Sequence, residues 1–147
     1  MDNESRLADR LRKGSGAGVY HLPADGGIAI AAAAASGNLG VARADLTDCQ
    51  DKAEFLRRIA EALRFPAWFG HNWDALADCL SDMSWWPAAG HVLILEHADR
   101  FRTAAEGDFL TALEILEEAA RDRTADDAPL WTFVGLAADG IAHLRSF

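Results

Sequence analysis

Cysteine is scarce in this 147-residue chain: only Cys49 and Cys79 occur, too few for a disulfide framework and at no metal-binding spacing. No stretch approaches the roughly 18 consecutive apolar residues that a helix needs to span a bilayer. The chain has no glycine-rich phosphate loop, no His-x-x-x-His pair of the zinc-helix kind and no internal repeat. Positive charge is also in short supply, since 14 Lys and Arg against 23 Asp and Glu leave a net charge of -9. A chain this acidic repels nucleic acid and favours basic partners, chiefly by raising encounter rates. The expectation is therefore no nucleic-acid partner, no membrane, no metal and no other cofactor. The opening MDNESRLADRLRKG puts charges where a secretory signal carries its apolar segment. Together with the lone thiols, it points to a reducing cytoplasm. These features leave the oligomeric state open.

What is present is ordinary for a globular domain: 50% apolar and 25% charged residues, in a length that supports one substantial core. The charge is unevenly placed. Residues 1–40 hold four acids and four bases, so the other nineteen acids and ten bases fall after residue 40. We read residues 1–40 as an N-terminal appendage packed on a main domain of residues 41–147.

In the appendage, residues 4–13 suit a short amphipathic helix with Leu7 and Leu11 inward, stopped by the glycines of GSGAG. VYHL, the turn PADGG and IAIAAAAAS then fit an extra hairpin, although the alanine run fits a helix equally well. Beyond residue 40, VARADL (41–46), HVLILE (91–96) and LWTFVGLA (130–137) have strand length and composition, with Trp131 and Phe133 on one face of the last. Between them lie helical patterns. One starts at Asp51 and Glu54 and carries Phe55, Leu56, Ile59 and Leu63, with Pro66 stopping it at or before Phe65. A second runs from near Asn72 to about Met83. A third is capped by Asp108 and carries Phe109, Leu113, Leu116 and Ala120 on one face. Strands separated by helices pair in parallel through right-handed crossovers. The expected fold is α/β, a small three-stranded parallel sheet covered by helices.

The second of these helices holds the chemistry. At about 100° per residue, Trp73, Leu76, Cys79, Leu80 and Met83 share an arc of roughly 120°, and Asp74, Asp78 and Asp82 lie opposite, a turn apart. Like charges at this spacing oppose helix formation by a few tenths of a kcal/mol per pair. Asp74 is justified by the helix dipole, being in the first turn; Asp78 and Asp82 are not. Residues that cost local stability are commonly kept for function. Ahead of the helix, WFGHN supplies two aromatics, a glycine suited to positive φ, and Asn72 as the cap. Phe69 and Trp73 could meet across that cap as a hydrophobic staple. Trp68 fits both an exposed anchor beside the acids and an ordinary core aromatic.

The stretch FPAWFGHNWDALADCLSDM resembles the barstar family, intracellular inhibitors of small secreted ribonucleases. The positions that carry the likeness are Pro66, Phe69, Gly70, Asn72, Asp74, Ala75, Leu76, Asp78, Cys79 and Leu80. The resemblance covers residues 41–147 and leaves residues 1–40 outside. It implies a stoichiometric inhibitor, not an enzyme, that plugs the active site of a basic secreted ribonuclease or toxin nuclease domain. The implied partner-binding set is Trp68, Gly70, Asn72, Trp73, Asp74, Ala77, Asp78 and Glu118. Within it, Asp78 replaces a substrate phosphate, Asp74 pairs with neighbouring basic groups, Trp68 packs on a catalytic histidine, and Glu118 adds a peripheral contact. Ala77 departs from the pattern, because the best-known members carry a large aromatic there.

Other readings compete. His71, Asp74 and Asp78, or His91, Glu96 and His97, could be imagined around a metal, but neither has zinc-site spacing. Asp74 with Asp78, or Cys79 with a histidine, could serve as a small catalytic pair. Carboxylates a turn apart on an exposed helix lack a cleft to separate their pKa values, and Cys79 falls on the apolar arc. The main alternative is a diverged barstar-like interaction or scaffold domain with a non-nuclease partner.

Overall fold

Alternation along the strands sets the architecture. The computed structural model describes residues 3–23, 26–65, 70–123, 128–137 and 144–147. In chain order these form α1 (Asn3–Lys13), β1 (Val19–Leu22), α2 (Gly27–Ser36), β2 (Gly40–Asp45), α3 (Lys52–Leu63) and α4 (Trp73–Ser81). Then follow β3 (His91–Glu96), α5 (Asp99–Ala104), α6 (Glu106–Arg121), β4 (Leu130–Gly135) and the two-residue β5 (Arg145–Ser146). The strands form one all-parallel sheet in the order β2-β3-β4-β1-β5.

Successive residues of each strand point to opposite faces. Leu93 and Leu95 of β3, Leu130 and Val134 of β4 and Ala42 and Ala44 of β2 join Phe55, Leu76, Phe101 and Leu116 of α3–α6 in one core layer. Val92 and Ile94, with Trp131 and Phe133, face the other way and meet Leu11 of α1 and Ile30, Ala33 and Ala34 of α2. Strands buried on both faces read as near-continuous apolar runs, and this explains the composition of HVLILE and LWTFVG. The second layer is anchored by a hydrogen bond from the Trp131 indole Nε1 to the Leu11 carbonyl, at 2.9 Å.

The three-stranded expectation is thus corrected. VYHL is a further strand, β1, parallel to β4 with Val19 opposite Thr132, and β5 lies on its outer side. VYHL and IAIAAAAAS do not pair as a hairpin. The alanine run is helix α2, whose Ile30, Ala33 and Ala34 are buried against the sheet. Alanine is the strongest helix former, which favours helix over strand for this run.

The strands after residue 40 lie where expected. Asp51 caps α3, accepting from the Glu54 N–H at 2.8 Å, and Arg64 closes it in the left-handed region (φ 55°). The third helical pattern differs at its start. A short extra helix, α5, precedes it, and α6 begins at Glu106, so Asp108 sits in the first turn instead of capping.

Candidate partner-binding surface

Helix α4 is held at both ends and along one side. Asn72 has extended backbone (φ -137°, ψ 171°), and its Oδ1 accepts from the Ala75 N–H at 2.7 Å. The left-handed residue of the preceding turn is His71 (φ 52°), not Gly70. At Gly70 a Cβ would lie 3.2 Å from Asn72 Nδ2, so a side chain there would make the capping Asn72 shift slightly. At the other end, two side chains satisfy orphan carbonyls of the last turn. The Trp85 indole donates to the Cys79 carbonyl at 3.0 Å, and the Arg123 guanidinium donates to that of Leu80 at 2.7 Å. On the inner side Leu76, Cys79 and Leu80 are fully buried, and α4 packs on α6.

This clamp presents Asp74 and Asp78 to solvent one turn apart, and neither makes an ion pair among the described residues. Asp82 does not complete the stripe. It is the C-cap, with extended backbone (φ -122°, ψ 97°), and its Oδ1 accepts from the Ser84 N–H at 3.0 Å. Those bonds to Ser84 hold its carboxyl below the usual range. The helix ends at Ser81, two residues before the expected Met83, and Trp85 and Arg123 take carbonyls of its last turn.

The other expected residues are distributed as follows. Trp73 is half-buried, with its ring 6.0 Å from that of Phe55 and the Lys52 ammonium 5.2 Å above it. Ala77 is half-buried and its carbonyl accepts from the Ser81 hydroxyl. Glu118 is exposed on α6, the helix against which α4 packs. Trp68 lies outside the described residues, as does Phe69 of the expected staple. Lys52, Trp85 and Arg123 escaped the sequence reading; the Trp85-Trp86 pair after the helix was the visible signal for a packed terminus.

Cys79 is buried beneath the acids. Burial, with the nearby Asp78 charge adding to it, pushes its thiol pKa up, which makes it an inert core group. His91 is buried under Trp86, its Nε2 2.7 Å from the Trp86 carbonyl, while Nδ1 has no hydrogen-bond partner among the described residues. Burial, with Arg123 adding, lowers its pKa, against the opposing effect of the Trp86 carbonyl. Glu96 is paired with Arg43. Among the described residues no group of three His, Cys, Asp or Glu side chains is placed to hold a metal ion. No helix among them is long and apolar enough to cross a membrane.

Residues 39–135 match the family model described as Barstar (barnase inhibitor). No curated protein matches the chain. Among solved structures, the Aeropyrum pernix ORC2 protein (ADPNP-ADP complexes) is similar at 19% identity with a TM-score of 0.56. That likeness covers 91% of this chain but 40% of the other, so the chain spans well under half of that protein. At this identity it speaks for the α/β fold alone, and its coverage reaches into the N-terminal residues that lie before the family match.

Proposed function

The chain belongs to the barstar family, and from that membership we propose that it is a stoichiometric inhibitor of a small basic ribonuclease. On this reading it acts by occupying the nuclease active site, without turnover and without a cofactor. Asp78, in the middle of α4, stands in for an RNA phosphate among the enzyme's basic groups. Asp74 pairs with neighbouring cations, Trp68 is the aromatic anchor, and Glu118 contributes from α6. The reading assigns a cytoplasmic setting.

The observation that carries it is the pair Asp74 and Asp78, exposed and without an ion-pair partner among the described residues, on a helix whose far side and both ends are held. A carboxylate surrounded by several cationic donors forms charge-assisted hydrogen bonds, and a rigid platform spares the entropy of ordering it on binding. Ala77 offers no large aromatic beside the acids, and that feature favours a second reading, an interaction domain of the same fold with a non-nuclease partner.

The test is to titrate the chain into barnase and a panel of other small basic ribonucleases, following RNA cleavage and heats of binding. Inhibition is expected to reach completion at one chain per enzyme. Asp78→Ala is expected to lose roughly 2–5 kcal/mol of binding. No inhibition across the panel would sink the reading, and undiminished binding by Asp78→Ala would move the site elsewhere.

A further inference from the structure

A groove of about 960 Å³ runs beside α6, outside the α4 surface. It exists because β1 widens the sheet past β4, and α6 is the helix that reaches β1 on that face. Val19 of β1 and Leu144 line it from the sheet side, and Leu110 and Leu113 of α6 form the apolar part of its wall. Glu117 ties the two sides together: its carboxylate accepts from the Val19 N–H at 3.0 Å and from Arg145 at 3.2 Å. Val19, Leu144 and Arg145 all fall outside the family-matched residues 39–135.

The charges facing the groove are unequal in their partners. Glu117 and Arg145 neutralise each other, and Arg121 stands at the C-terminal end of the wall. Glu114 and Glu118, one turn apart and exposed, make no ion pair among the described residues. They repeat on α6 the like-charge spacing of Asp74 and Asp78 on α4, against local helix preference. From Leu110 to Arg121 the wall extends about 16 Å at 1.5 Å per residue. An open trough of that length, apolar at one end and acidic along its rim, suits a protein segment better than an enclosed small molecule. Glu118 belongs both to this rim and to the proposed nuclease contact, so the two surfaces are continuous.

We propose that the groove is a second docking point for the ribonuclease, taking an apolar side chain of the enzyme against the partly exposed Leu110, with adjoining Lys or Arg residues against Glu114 and Glu118. This rests on the inhibitor reading above and adds to it a determinant of which ribonuclease is preferred, built partly by the N-terminal segment. The full-length chain is tested against the tightest-binding enzyme of the ribonuclease panel, barnase included, by stopped-flow association and calorimetry. Glu114→Lys, an exposed change, is expected to weaken binding about tenfold, mostly through slower association, and to reduce its salt dependence. Leu110→Gln is expected to weaken it by a similar factor through faster dissociation, with unfolding curves confirming that both variants fold. If both variants bind within twofold of the parent while Asp78→Ala does not, the groove proposal is overturned and the inhibitor reading stands. If the parent binds no ribonuclease, both fall together.

Discussion

At the scale of single residues, the two acids of α4 differ from the third in what they touch. Asp82 spends its carboxylate on the Ser84 backbone, whereas Asp74 and Asp78 have no ion-pair partner among the described residues. Removing one of a like-charged pair relieves repulsion of a few tenths of a kcal/mol. Asp78→Asn is therefore expected to leave stability unchanged or slightly raised in urea unfolding, while weakening partner binding; a clear loss of stability would mean Asp78 is structural. His91 gives a pH dependence. Its folded pKa lies below the ordinary 6.5, so the unfolded chain takes up the proton first. Stability is fully present above about 6.5 and declines as pH falls from there toward the depressed value. His91→Gln should flatten that part of the stability-against-pH curve, measured by thermal unfolding at fixed ionic strength.

At the scale of elements, much of α4 could be read in advance. Asn72 caps it, Leu76, Cys79 and Leu80 are buried, and Asp74 and Asp78 face out, as a simple helical wheel requires. Its C-terminus could not be read, because carbonyls taken by Trp85 and by Arg123 are long-range events with no local periodicity. Likewise the wheel could place Asp82 only by assuming that the helix continued. Loss of the cap in Asn72→Ala should cost about 1 kcal/mol in urea unfolding. Trp85→Phe keeps the ring but strands the Cys79 carbonyl, and amide exchange near the end of α4 should accelerate while that of α6 changes little.

At the scale of the molecule, the N-terminal segment is a structural layer. β1 joins the sheet, and α1 and α2 cover the face carrying Val92, Ile94, Trp131 and Phe133. A chain starting at residue 39 should expose that face, bind a hydrophobic dye and aggregate, whereas a true accessory segment could be removed harmlessly. Trp131→Ala should cost about 3–5 kcal/mol of stability, as large aromatic truncations in cores do.

Local pattern by itself determined where the strands and most helices after residue 40 lie, which residues cap α3 and α4, and that Asp74 and Asp78 share a face, although it added Asp82 to them. Those follow from side-chain periodicity and from hydrogen bonds spanning three or four residues. It also left the alanine run undecided, since two short apolar runs around Pro and Gly-Gly suit a hairpin while alanine itself favours helix. Only the tertiary structure decided that VYHL pairs with β4, that α2 closes the second face and that the groove opens beside α6. Those outcomes depend on pairing between residues more than a hundred positions apart, as Val19 with Thr132, and no local signal encodes such a partner.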